Sequence, residues 1–306
     1  MRVFVTGATG FIGSAIVREL LTAGHKVLGM ARSAAAADTL ARLGVEAHRG
    51  ELTDTDSLAA GARACEGVIH AAYNHDWSIP REVAAETDRQ AVAALAGALE
   101  GSGKPLVVTS GTLMVVPLAA GRTGTEADVH RSAAVPRAAS EMAVRAASDR
   151  GVRGIAVRLP PTVHGAGDHG FVPRLIEIAH RTGFAAFVGD GANRWPAVHR
   201  LDAARLFRLA LEKAAPGAHL HGAAEEGIPF RTIAETIGQG LGLPVRSLTN
   251  DEAPAYFDWL APFVAMDNPT SSAITRSSLG WRPQEPELLT DMRDSGYFTA
   301  VDLVGA

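Results

Sequence analysis

Cysteine, aromatic residues and surplus positive charge are all scarce in this chain, and each shortage removes a class of protein. Cys65 is the single cysteine among 306 residues, so no disulfide can form within the chain, as expected in a reducing compartment. Aromatic residues make up 6% against 47% hydrophobic residues overall, so the core has to be mainly aliphatic. Lysine and arginine number 29 against 33 acids, a formal net charge of -4, and no basic run forms a phosphate-binding stripe. Nucleic acid is therefore not an expected partner. Long apolar runs are lacking too: the stretch 257–266 is interrupted by Asp258 and Pro262, so no membrane span is expected. The opening residues run into a strand and a glycine turn without the basic start and apolar middle of a secretory leader, and a cytoplasmic location is expected.

What the chain does have is alternation. Short apolar runs at 2–6, 26–30, 46–49, 68–72, 106–109 and 154–159 read as strands, several of them continuous rather than alternating, as in a parallel sheet covered on both faces. Helical patterns lie between them at 11–22, 34–43, 57–64, 81–100 and 137–150, with Gly24, Gly44, Gly67, Gly101 and Gly151 placed to stop the helices. This predicts an α/β fold, a Rossmann-type doubly wound parallel sheet. After residue 159 Pro- and Gly-rich segments are interleaved with helices at 171–182 and 202–213. Beyond Gly222 the chain reads as mostly helical, with an amphipathic stretch at 230–241 and a capping box, Thr249-x-x-Glu252, opening a helix towards Phe263. The expected division is a dinucleotide-binding domain over 1–160, with returns to its sheet from about 190–220, and a smaller substrate-binding lobe over 161–306.

The first strand runs into Thr6-Gly7-Ala8-Thr9-Gly10-Phe11-Ile12-Gly13, a G-x-x-G-x-x-G turn that opens the first helix. In such a turn Gly7 allows the tight bend, Gly10 lets the backbone approach a diphosphate and Gly13 lets helix and strand pack closely. Thr9, Phe11 and Ile12 then lie at the helix start, where free N–H groups and the dipole favour an anion. The second strand is followed by Arg32 and Ser33, and no acid occurs until Asp38. An acid near that place binds the ribose 2′-hydroxyl of NAD, whereas arginine suits a 2′-phosphate, so NADP(H) is the expected cofactor with NAD(H) as the alternative.

With these motifs the chain resembles the extended short-chain dehydrogenase/reductase family, the group of NAD-dependent epimerases and dehydratases. The resemblance runs on through Gly50-Glu51-Leu52, His70-Ala71-Ala72, Val108-Thr109-Ser110, Arg158 to Gly165, Ala197 to Asp202 and Leu279 to Pro283. It implies that Glu51 and Leu52 lie at the adenine, that Ala71, Ala72 and Thr109 border the diphosphate and ribose, and that Pro160, Thr162 and Val163 line the nicotinamide. One expected element is missing. The family carries Tyr-x-x-x-Lys on the helix after strand five, and the matching place here reads Pro136-Arg137-Ala138-Ala139-Ser140-Glu141, as in an atypical branch. Tyr73, Tyr256 and Tyr297 are the only tyrosines, and the family's Ser/Thr partner falls at Gly111, between Ser110 and Thr112.

Arginine stays charged near neutrality, so Arg137 cannot serve as the proton donor, but it can steady a developing alkoxide. The proton must come from elsewhere. Tyr73 and His75, after the fourth strand, are the favoured relay, and His164, in a turn with Asp168 and His169, is a further candidate. A metal site is not expected, because no cysteine or His-x-x-x-His supports it. The expected activity is hydride transfer to or from a small carbonyl or alcohol, by a chain that follows the family's habit of forming homodimers. Two other readings remain: a sugar-nucleotide epimerase or dehydratase, and a non-catalytic NADP sensor similar to the regulatory NmrA-like proteins.

Overall fold

Val3 and Val5 on the first strand pack against one layer of helices and Phe4 between them against the other, because successive side chains on a strand point to opposite faces. That division runs across the whole central sheet. In the computed structural model, which describes residues 1–299 apart from Trp77, Ala120, Ala133, Ala134 and Pro136, the strands are β1 (Arg2–Thr6), β2 (Lys26–Ala31), β3 (Glu46–Arg49), β4 (Gly67–His70), β5 (Pro105–Gly111) and β6 (Arg153–Leu159). After β7 (Thr162–His164), β8 (Ala185–Val188) and β9 (Arg194–His199), the chain rejoins the main sheet with β10 (Ala218–His221). The order is β10-β6-β5-β4-β1-β2-β3, and every pairing is parallel. The doubly wound parallel sheet expected from the alternation is present.

Helix α1 (Phe11–Thr22) packs with the later α8 (Arg200–Lys213) on one face, where Ile16, Leu20, Phe207 and Leu211 are fully buried. α2 (Ala34–Arg42) adds Leu40 to the same core. On the other face α3 (Thr55–Arg63), α4 (Arg81–Ala98) and, beyond the short α5 (Val116–Ala119), α6 (Ala138–Ser148) bury Leu58, Val92, Leu95 and Val144. The glycine stops hold at Gly24, Gly44, Gly101 and Gly151, all with positive φ. Gly67 is different. It opens β4 rather than ending α3, and a Cβ there would sit 2.9 Å from Pro105 and 3.0 Å from Leu211, so close packing is what calls for glycine.

A separate aliphatic and aromatic core lies between α7 (Phe171–Thr182), β8, β9, β11 (Glu225–Pro229) and α9 (Phe230–Leu241). Here β7, β9 and β11 form a three-stranded sheet, and β12 (Val245–Leu248) pairs with β8. The capping box forms: Thr249 N–H donates to Glu252 at 2.8 Å, and Glu252 N–H reaches back to Thr249 Oγ1 at 3.3 Å. The helix it opens is broken at Asp258, whose φ of 56° divides α10 (Ala253–Phe257) from α11 (Ala261–Val264). α12 (Ala273–Leu279) and α13 (Leu288–Asp294) end the described chain. Among the described residues no helix is long and apolar enough to cross a membrane.

Candidate active site

Strand order locates the site. β1 lies between β2 and β4, so the connections leaving its carboxyl end and that of β4 diverge to opposite sides and open a crevice, the place where doubly wound sheets bind ligands. The glycine turn follows β1 and residues 71–76 follow β4, with Thr6 and His70 in register. The two segments touch closely. A Cβ on Gly7, whose φ is +67°, would fall 2.8 Å from Ala72 N, and one on Gly13 would fall 1.9 Å from Gly7 O. Gly10 caps α1 with no side chain over the helix start, while Thr9 and Gly10 are exposed and Phe11 and Ile12 half-buried. The turn therefore fits a dinucleotide diphosphate, with the N–H groups of the first turn of α1 as donors.

The adenosine side is more open. Arg32 is exposed, and Ser33 Oγ caps α2 by accepting from Ala36 N–H at 3.2 Å, so Ser33 already has a structural task. Glu51 is exposed and accepts from Thr53, and Leu52 is half-buried against the α3–α4 core.

Beneath the turn lies a buried relay that links elements distant in sequence. Ala72 N–H donates to Thr6 Oγ1 at 3.3 Å, and Thr6 Oγ1 pairs with His70 Nδ1 at 2.8 Å. His70 Nε2 meets Asp88 Oδ1 at 3.1 Å, and Ser140 donates to Asp88 Oδ2 at 2.6 Å. Burial pushes the Asp88 pKa up, but the hydrogen bonds and charge of His70, with Arg137 and Ser140, outweigh it and hold the carboxyl below its ordinary value. The sequence argument missed this relay. Its signal was available, because Asp88 falls between Ala84, Ala85, Ala91 and Val92 on the apolar stripe of α4.

Tyr73, His75 and Arg137 come together above this relay. The Arg137 guanidinium lies over the Tyr73 ring, 3.9 Å from its centroid, and donates to Thr109 O at 3.2 Å. His75 meets the same tyrosine edge-on at 5.1 Å. Desolvation raises the Tyr73 pKa despite the charges of Arg137 and Arg81. In His75 desolvation, then repulsion from Arg137 and His169, lowers it, although part of the ring stays exposed.

The remaining candidates point elsewhere. Ser110 is buried and faces the Glu141 carboxylate, near enough to lower its pKa but outside hydrogen-bonding geometry. Glu141 itself grips Arg158 with two bonds of 2.8 and 2.6 Å inside the core. Thr112 is fully buried and accepts from Asn268 at 2.8 Å. Thr109 donates to His70 O, and Thr162 donates to Pro196 O. Pro160 is buried and Val163 half-buried, while Ala71 and Ala72 border the glycine turn. His164 is buried with Nδ1 on Asp291 at 2.7 Å, and burial lowers its pKa. Pro136 lies outside the described residues. Near β9 the capping role belongs to His199, whose Nδ1 accepts from Leu201 N–H, whereas Asp202 holds the backbone of Gln284 and Glu285. Trp195 is fully buried against Phe230 and so does not line an open cleft.

The family model described as the NAD dependent epimerase/dehydratase family matches residues 3–221. The chain belongs to that family. An uncharacterized protein of Schizosaccharomyces pombe is 47% identical over 97% of this chain and 100% of its own length. A 2-alkyl-3-oxoalkanoate reductase of Stenotrophomonas maltophilia is 32% identical over 80% of this chain and 77% of its own. Among solved structures, a dTDP-glucose 4,6-dehydratase of Streptomyces venezuelae with NAD and DAU bound superposes with a TM-score of 0.78 at 22% identity, covering 98% of this chain and 97% of that one, a likeness of fold. Family and relatives together make this an NAD(P)-dependent, oxidoreductase-type protein.

Proposed function

We propose that the chain is an NADP(H)-dependent oxidoreductase that interconverts a small carbonyl compound and its alcohol. The observation that carries this is the Tyr73–Arg137 stack with His75 at its edge, beside the glycine turn at the mouth of the sheet. When bound, the nicotinamide supplies or accepts the hydride. Gly7, Gly10 and the start of α1 would hold the diphosphate, and Arg32 the 2′-phosphate. Arg137, fixed by the ring beneath it and by Thr109 O, offers a positive charge to the substrate oxygen as it becomes an alkoxide. Tyr73 keeps its proton at neutral pH and can donate it to that oxygen, and His75 beside it can restore it.

Two measurements test this. Tyr73→Phe should reduce NADPH-dependent carbonyl reduction about a hundredfold, the usual size of a general-acid contribution. Firm NADPH binding with no turnover of any aldehyde or ketone by the unaltered protein would overturn the reading. Arg32→Ala should weaken NADPH about tenfold or more and leave NADH unchanged, as loss of a charge-assisted phosphate contact requires. Equal effects on the two coenzymes would remove the NADP preference.

A further inference from the structure

Two guanidinium groups flank Tyr73, and both lie flat on aromatic rings. Arg137 covers Tyr73 itself, and Arg81, at the exposed start of α4, lies over Phe263 with its Cζ 4.7 Å from the ring centroid. Phe263 belongs to an aromatic wall: Phe171 meets Phe263 at 5.4 Å and Trp259 at 5.5 Å, all three half-buried. The wall adjoins the glycine turn, because His169, two residues before Phe171, packs edge-on against Phe11.

A ring under a guanidinium occupies its face and leaves the in-plane N–H groups to point outward, the geometry that matches a carboxylate. The nearby acids are committed elsewhere. Asp88 is held by His70 and Ser140, Asp76 accepts from Ser78, and Asp168 accepts from Gly170 and Tyr297. Among the described residues Arg137 forms no ion pair, so a half-buried cation lacks a counter-charge within the protein. In a chain of net negative charge this is a local positive patch against an apolar wall.

We infer that the substrate is an oxo acid, its carboxylate held between Arg81 and Arg137 and its apolar tail laid on Phe171, Trp259 and Phe263. This deepens the reductase reading by naming the substrate class, and it rests on that reading for the carbonyl. The anion site has its own readout in binding.

NADPH-loaded protein is titrated calorimetrically with 3-phenylpropanoate and with 3-phenylpropanamide, which share a body and differ in charge. The carboxylate should bind about tenfold to a hundredfold tighter, the range of one or two charge-assisted hydrogen bonds. Arg81→Gln should remove most of that ratio and Arg81→Lys restore part of it, with circular dichroism and NADPH affinity reporting that each variant is folded. Equal binding of acid and amide, no binding of either, or a ratio that survives Arg81→Gln overturns the inference. Acid selectivity without carbonyl turnover sinks the reductase reading and leaves the anion site standing; turnover without acid selectivity does the reverse.

Discussion

At the scale of single residues, the side chains that matter most are those whose burial and charge conflict. Asp88 is 1% exposed and ionised, which is tolerable only because His70 and Ser140 satisfy it. Asp88→Ala would leave the His70 N–H and the Ser140 hydroxyl without an acceptor, and urea denaturation should show a loss of about 3 kcal/mol or more. The sign with pH follows from the lowered pKa. The contribution of Asp88 is fully present above its ordinary value of 3.8 and disappears as pH falls through the lower folded value. His75 gives a second, kinetic signature. Its pKa lies below 6.5, so the imidazolium that restores the Tyr73 proton becomes scarcer as pH rises. Carbonyl reduction should therefore speed up as pH falls towards that lowered value, and His75→Phe should flatten the profile. An unchanged profile in the variant would exclude His75 from the relay.

Elements were legible in the sequence wherever one local rule decided them, and illegible wherever a distant partner did. The strands of the main sheet could be read because each is an apolar run between glycine or capping residues, and β1 and α1 fall where the G-x-x-G-x-x-G spacing puts them. Gly67 was misread because a glycine after a helix looks the same whether it supplies positive φ or makes room for Pro105 and Leu211. The small sheets were invisible for another reason: β12 finds β8 across the whole of α9, and nothing local to Val245–Leu248 announces that partner. The site divides in the same way. The glycine turn is a contiguous motif, whereas the Tyr73–Arg137 stack and the Thr6–His70–Asp88–Ser140 relay join separate strands and helices that only the fold brings together. Close packing at the turn makes a sharp test. In Gly13→Ala the new methyl must displace the Gly7 carbonyl, so calorimetry should show loss of coenzyme binding, whereas Gly10→Ala, whose Cβ would meet only Gly7 O at 3.2 Å, should fold normally.

On the scale of the whole molecule, the carboxy-terminal stretch fastens the second core to the dinucleotide crevice. Trp281 is buried in the core shared by α1 and α8 and donates to Asp202 O at 3.0 Å, while Asp291 on α13 holds His164. Tyr297 then closes the loop before α7: its hydroxyl accepts from Gly165 N–H at 3.0 Å and donates to Asp168 Oδ2 at 2.9 Å, just ahead of the His169 ring on Phe11. Burial raises the Asp168 pKa to about 6 despite the hydrogen bonds from Gly170 and Tyr297, so this fastening carries a strained charge at neutral pH. An acid whose folded pKa is raised stabilises the fold below its ordinary value of 3.8, and that contribution is lost as pH rises through about 6. Asp168→Asn cannot ionise, so the variant should gain stability relative to the unaltered protein between pH 5 and pH 8, on the order of 1–2 kcal/mol. Urea denaturation of both proteins at the two pH values measures that difference. A difference that does not change with pH would mean that the Asp168 carboxylate is as well solvated in the fold as in water, and that Tyr297 holds the loop without any cost from its charge.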